Sequence, residues 1–148
     1  MKRLLLAAGV FVFAGCGGDG AGPNPTVNVA GTWDLSISSL SGAGISCTLT
    51  GMVVVITQAG TTFSGSYNGG TMQCYGPGGS TGGPIGSGTV VNGKLSGSEV
   101  QFDLDTQDIH QTGSIGGNSM SGTTTWRLDL GAPTGVIVLS GNWSAARR

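Results

Sequence analysis

The stretch GTWDLSIS at residues 31–38 decides the fold of this 148-residue chain, because its side chains alternate strictly between apolar and polar. The alternation places Trp33, Leu35 and Ile37 on one face and polar residues on the other. A period of two residues is typical of a β-strand with one buried face. The stretch therefore predicts a strand whose Trp33 face is turned toward a hydrophobic core.

The same alternation recurs further along the chain, at EVQFDLD (99–105) and WRLDL (126–130). Two continuous apolar runs, 52–56 and 136–139, predict strands that are covered on both faces. No segment beyond the amino terminus has the apolar spacing of a helix. Counting gives about eight strands, at 31–39, 47–58, 61–68, 87–96, 99–105, 109–116, 119–130 and 134–145.

Short turns separate most of these strands. Ala59-Gly60, Gly97-Ser98 and Gly117-Asn118 each fall between two β-type segments, where glycine or asparagine permits a positive φ. The exception is the low-complexity stretch 69–86, which we expect to be a long loop. Short links make sequential strands antiparallel neighbours, so we predict an all-β, eight-stranded up-and-down meander barrel, which leaves no open sheet edge. A two-sheet β-sandwich is the alternative.

Gly31-Thr32-Trp33 in the first strand, the eight-strand meander and Arg147 after the last strand resemble the lipocalin and avidin superfamily of up-and-down barrels. The resemblance implies that Trp33 closes one end of the barrel beneath an arginine from the final strands. Arg147 is the first candidate for that arginine and Arg127 is the second. The chain has no second lipocalin signature and no set of polar residues resembling a biotin site, so the resemblance implies no particular ligand.

The amino terminus has the three parts of an export signal. Met1-Lys2-Arg3 is positively charged, residues 4–13 are uncharged and apolar, and small residues follow. The apolar run is too short to span a bilayer, which needs about 20 apolar residues. The segment Phe13-Ala14-Gly15-Cys16 resembles the bacterial lipobox, although leucine is usual where Phe13 stands. The resemblance implies cleavage before Cys16 and lipid attachment to it; ordinary signal cleavage beside an incidental cysteine is the alternative.

These features divide the chain into three parts. Residues 1–15 are predicted to be the signal peptide, and residues 16–29 the lipidated cysteine with a flexible tether rich in glycine, proline and asparagine. Residues 30–148 are predicted to form a single β-barrel domain. Gly17 favours sorting to the outer membrane of a didermal bacterium, because aspartate at that position resembles an inner-membrane retention signal. We therefore expect an exported protein that is lipid-anchored to the cell envelope.

The composition agrees with export and excludes one class of partner. Removal of residues 1–15 takes away Lys2 and Arg3, which leaves four basic residues against seven acidic ones and a formal net charge of −3. A chain with this charge has no basic patch to neutralise phosphates, so we expect no nucleic-acid partner. Glycine makes up 30 of the 148 residues but shows no collagen period, and the alternating segments persist through it.

The cysteines beyond Cys16 are a single pair, Cys47 and Cys74. In an oxidising compartment two such cysteines predict a disulfide. The bond would tether the long loop 69–86 to the second strand. A metal site is the alternative, but two separated thiols and one histidine, His110, make a poor tetrahedral set, so we expect no metal.

Candidate catalytic residues are few. His110 is the only histidine, and we expect it to lie solvated in a turn between two strands, where it serves no triad. Asp103, Asp105 and Asp108 form a small acidic cluster, but the spacing of a calcium-binding loop is absent, which favours a hydrated outer strand face. We therefore expect no catalytic residues and no cofactor, and we do not expect an enzyme.

Two functions remain compatible with the sequence. The first is a lipocalin-like barrel that binds a small apolar ligand. We expect the aromatic residues to pack in the core, and the alternative is that some of them line the cavity; the candidates are Phe63, Tyr67, Phe102 and Trp126. The second is a structural or interaction lipoprotein whose barrel is filled by its own side chains. An eight-stranded barrel is wide enough for either arrangement. The volume of the interior distinguishes them.

Overall fold

The computed structural model describes residues 27–105, 108–129, 131–132 and 135–148. Within these residues the chain is built from β-strands. Nine strands follow one another along the chain: β1 (Gly31–Gly42), β2 (Ile45–Ala59), β3 (Thr62–Gly76), β4 (Gly79–Pro84), β5 (Ser87–Ser96), β6 (Glu99–Leu104), β7 (Ile109–Gly116), β8 (Ser119–Asp129) and β9 (Val136–Arg147).

Eight of the nine strands close into one antiparallel barrel. Their order around the ring is β2-β1-β9-β8-β7-β6-β5-β3, and the pairing of β2 with β3 completes the circle. The first and last strands are neighbours, with Trp33 opposite Arg147. The predicted up-and-down barrel is confirmed, and the sandwich alternative is excluded.

The turns alternate between two ends of the barrel. The Trp33 end contains the start of β1, the end of β9 and the β2–β3, β5–β6 and β7–β8 turns. The disulfide end contains the β1–β2, β3–β4, β6–β7 and β8–β9 turns. At the Trp33 end Gly60, Gly97 and Gly117 have φ values of 63°, 60° and 61°. The predicted use of glycine for positive φ in these turns is therefore confirmed.

The prediction of a long loop at 69–86 is wrong. β3 continues to Gly76, and β4 pairs with its second half, so most of the stretch is a β-hairpin. The same half of β3 pairs with β2, where Leu49 lies opposite Met72. The hairpin is held by backbone pairing between neighbouring strands. Backbone pairing forms without apolar alternation, which is absent from this stretch. β4 lies outside the closed ring, at the end of the sheet order.

The barrel interior is apolar, and the Trp33 face of β1 lines it. Trp33, Leu35 and Ile37 are all buried, as the alternation of residues 31–38 predicts. Gly93 also lies inside, where an added Cβ would stand 2.5 Å from the Phe63 ring. Glycine at this position therefore lets an aromatic ring lie directly against the backbone of β5.

The two continuous apolar runs do not form strands that are covered on both faces. Val55 is 45% exposed, Val136 is 52% exposed and Val138 is 50% exposed. Alternate residues of the same strands, such as Val54 and Leu139, are buried in the barrel. A barrel has only one interior, so the outward valines of these runs face solvent within the described structure.

Candidate functional site

The Trp33 end is closed by a tryptophan–arginine pair. The guanidinium carbon of Arg147 lies 4.4 Å from the centroid of the Trp33 ring, within the range of a cation–π interaction. Arg147 is thus the arginine over the ring, whereas Arg127 lies at the other end of the barrel. Gly31 has a φ of 135°, and a Cβ there would stand 3.2 Å from the Arg147 guanidinium. Glycine at this position therefore leaves room for Arg147.

Residues 27–30, which we call the strap, cross this end just before β1. Val29 is fully buried within the core. The Trp33 indole N–H donates to the Val29 carbonyl at 2.9 Å, and the Val29 amide donates to the side-chain oxygen of Gln58 at 2.7 Å. Arg147 donates to the carbonyl oxygens of Ala30 and Asn28 at 2.7 and 2.6 Å. The strap is therefore fastened to three strands, β1, β2 and β9.

Aromatic rings fill the middle of the barrel. Phe102 makes edge-to-face contacts with Phe63 and Trp143, at centroid distances of 5.9 and 5.4 Å. Tyr67 is also buried, and that burial, followed by the nearby Asp105 carboxylate, raises the pKa of its phenol. Trp126 is only half-buried against the core. All four predicted ligand-lining residues thus contact the apolar core, three of them buried and Trp126 in part.

Two polar side chains lie among these rings, and sequence reasoning missed both. Gln111 and Thr124 are cross-strand neighbours on β7 and β8, with 0% and 1% of their surface exposed. Within the described residues, neither the Gln111 amide group nor the Thr124 hydroxyl has a hydrogen-bond partner. An unpaired buried polar group of this kind costs about 1–3 kcal/mol. The one sequence signal for their inward position was the alternation in β7, where Gln111 interrupts an otherwise apolar face.

We expect Thr124→Val to raise the free energy of unfolding by about 1 kcal/mol, because it removes an unpaired hydroxyl while preserving the shape of the side chain. Urea denaturation followed by circular dichroism measures the change. Thr125→Val is the matched control, since Thr125 is exposed on the same strand. Loss of stability in Thr124→Val alone would contradict the prediction and would indicate that the Thr124 hydroxyl is bound in the native protein.

The prediction of a turn position for His110 is wrong, because the residue lies on β7 opposite Asp103 of β6. The His110 Nδ1 and an Asp103 carboxylate oxygen are hydrogen-bonded. The second carboxylate oxygen accepts from the Asn92 amide at 2.7 Å. Burial raises the pKa of Asp103, but the hydrogen bonds from Asn92 and His110 outweigh it, so the pKa lies below its ordinary value of 3.8.

The acidic cluster predicted around Asp103 lies on the outer surface, beside a groove of about 380 Å³. Asp105 accepts from the backbone amide of Thr89 at 3.1 Å and from its hydroxyl. Asp108 stands 3.9 Å from Arg127. These contacts link the β6–β7 connection to β5 and β8 at the disulfide end.

The predicted disulfide between Cys47 and Cys74 is confirmed. The two cysteines lie directly opposite each other on β2 and β3, and Cys47 is buried. The bond joins the parts of β2 and β3 that extend toward the β3–β4 hairpin. A shallow groove of about 290 Å³ runs along this hairpin, beside Tyr75, which is 59% exposed.

Four grooves of the described residues lie on the outer face or at the strand ends. One of about 640 Å³ crosses the outside of β5 to β8 and is lined by Lys94, Gln101 and Thr112, among others. A further groove of about 290 Å³ follows the β2–β3 turn. In the interior, by contrast, the Phe102 ring packs against the rings of Phe63 and Trp143. Cys16, the predicted lipidation site, lies outside the described residues.

Neither protein-family models, curated proteins nor solved structures yield a match to this chain. The described residues contain no helix that is long and apolar enough to cross a membrane.

Proposed function

We propose that this chain is an exported cell-envelope lipoprotein, anchored through Cys16, whose filled barrel works as a non-catalytic structural or interaction domain. The observation that carries this proposal is the packing of the interior, where Phe63, Phe102 and Trp143 occupy the middle of the barrel. A binding site for a drug-sized ligand needs roughly 300–1,000 Å³ of enclosed space. Two grooves of that size lie on the outside, which favours recognition by the outer surface.

The strap supports the anchoring half of the proposal. A lipid on Cys16 would be joined to the barrel through residues 17–26, and the strap fastens the start of the folded domain to β1, β2 and β9. The positively charged, apolar and small-residue parts of the leader are those of an export signal. The disulfide agrees with folding in an oxidising compartment.

The unpaired Gln111 and Thr124 favour a second candidate function. A small ligand inside the barrel, largely apolar but with a hydrogen-bonding group, would satisfy their polar atoms. The surrounding rings of Phe102 and Trp143 would then contact its apolar part. This candidate requires the interior to open, because the side chains fill it in the closed barrel.

Anchoring is tested by mass spectrometry of the full chain produced in a didermal bacterium. We expect the mature protein to begin at an acylated Cys16 and to sediment with membranes. Cys16→Ser should abolish both properties, whereas the matched variant Gly18→Ala should preserve them. A mature amino terminus elsewhere, without lipid, would overturn the anchoring proposal.

The filled interior is tested with the apolar fluorescent probe N-phenyl-1-naphthylamine and the Cys16→Ser chain. A filled barrel should give no saturable rise in probe fluorescence. A saturable rise that is lost in Thr124→Val would instead support the ligand-binding candidate, because that substitution removes a polar contact at the centre of the barrel.

A further inference from the structure

The connection to the proposed anchor enters the barrel at one defined end. The strap lies across the Trp33 end, and ten residues separate Cys16 from Val27. A chain of that length, fully extended, reaches at most about 40 Å. A lipid on Cys16 would therefore be joined to the barrel at the Trp33 end, and the disulfide end would be further from the point of attachment by the height of the barrel.

The charged side chains are distributed unequally between the two ends. The described residues of the Trp33 end include three basic and two acidic side chains: Lys94, Arg147, Arg148, Asp34 and Glu99. The disulfide end has one basic and four acidic side chains: Arg127, Asp103, Asp105, Asp108 and Asp129. By these side chains alone, the Trp33 end has a net charge of +1 and the disulfide end has a net charge of −3.

Two of the basic residues at the Trp33 end are not neutralised by a carboxylate in the described structure. Arg147 bonds to backbone carbonyls of the strap, and Lys94 lines an outer groove. Arg148 is paired with Asp34 at 2.6 Å, and its hydrogen bond lowers the pKa of that carboxyl group. Anionic phospholipids attract exposed basic residues within about a Debye length of the surface, roughly 10 Å, and repel acidic ones.

From the strap and the charge distribution together, we propose that the Trp33 end docks on an anionic phospholipid surface. The disulfide end, with its acidic groove and the β3–β4 hairpin, then faces away from the bilayer. The inference rests on the proposed lipid anchor, and it adds one orientation of the barrel and one chemical class of surface. The outward hairpin and groove become the face available to soluble partners.

The test measures which end approaches the bilayer. Lipidated protein carrying a single added cysteine, either Ser98→Cys at the Trp33 end or Ala132→Cys at the disulfide end, is labelled with a fluorophore. It is bound to vesicles of phosphatidylethanolamine and phosphatidylglycerol that contain a nitroxide headgroup lipid. We expect quenching at Ser98→Cys to exceed that at Ala132→Cys at least about threefold, because strands rising about 3.3 Å per residue keep the ends far apart.

Controls separate the orientation from the anchor. Replacement of phosphatidylglycerol by phosphatidylcholine should reduce the difference between the two labels while the protein stays bound through its lipid. Lys94→Glu should have the same effect, whereas Arg127→Glu at the opposite end should not. Equal quenching of the two labels on lipidated protein would overturn the orientation alone. An unacylated Cys16 would overturn the proposed anchoring and this inference with it.

Discussion

Trp33→Ala is expected to lower the free energy of unfolding by about 3–5 kcal/mol, as deletions of large buried aromatic side chains do. The ring is fully buried, it lies beneath Arg147, and its N–H donates to the strap at Val29. The substitution therefore leaves a cavity and also releases the segment that closes this end. Because small domains are stable by only about 5–15 kcal/mol, we expect a largely unfolded or poorly produced protein. Urea denaturation of the purified chain measures the loss.

Two variants show whether the loss arises at the closed end. Trp126→Ala is the matched control, because Trp126 is only half-buried at the other end, and it should cost clearly less. Arg147→Ala should also cost less than Trp33→Ala. In the double variant, Arg147→Ala should cost about 0.5–2 kcal/mol less than it does in the parent, since the two side chains interact directly. Stability of Trp33→Ala within about 1 kcal/mol of the parent would contradict the structure of this end, given the usual cost of such cavities.

Removal of the disulfide is the second large effect that we expect. Cys47→Ala with Cys74→Ala should lower the free energy of unfolding by about 3–4 kcal/mol in the chain-entropy view, because the bond closes a loop of 27 residues. The loss should be accompanied by local opening, since the bond joins β2 to the part of β3 that supports β4. Denaturation of the variant and of the oxidised parent measures the first effect.

Proteolysis measures the second effect. Tyr75 is exposed in the β3–β4 hairpin, so chymotrypsin cleavage after it should be much faster in the disulfide-free variant than in the oxidised parent. Cleavage after Phe102, which is buried in the ring, should change only through global unfolding. Unchanged denaturation together with unchanged cleavage at Tyr75 would show that the bond contributes nothing to this hairpin.

Much of the ring could be predicted from the sequence, because its strands bury one face each. Where apolar and polar residues alternate, as in residues 31–38, the period of two gives both the strand and its inner face. The positive φ of Gly60, Gly97 and Gly117 followed from turn chemistry alone. The pairing of β1 with β9 joins residues that are far apart in the chain, and it was expected only because closing the meander leaves no open sheet edge.

The β3–β4 hairpin could not be predicted from side-chain patterns. β4 has the sequence GSTGGP and is almost entirely exposed. Its strand is made by backbone hydrogen bonds to the second half of β3, which is in turn held against β2 by Cys47 and Cys74. Backbone donors and acceptors are the same in every sequence, so a glycine-rich strand of this kind leaves no apolar period to detect.

The positions of several site residues also could not be predicted from side-chain patterns. The sequence predicts a turn position for His110, whereas the β6–β7 register places it opposite Asp103. Gln111 and Thr124 were overlooked because a glutamine and a threonine ordinarily lie on an outer face. Only the three-dimensional register shows that they face inward together. The two amino-acid types alone could not reveal which side of the barrel they occupy.

The closure of the ring by its first and last strands also determines the order of events when the chain folds. The Ala30 carbonyl and the Arg147 side chain that binds it are 117 residues apart. Forming this contact therefore closes a loop that spans nearly the whole domain, with the loss of chain entropy that such a closure entails. Non-local pairing of this kind slows folding. The bonds from Arg147 to the strap can form only after β9 has been synthesised and has reached β1. In a partly synthesised chain the ring would thus remain open until its final strand arrives.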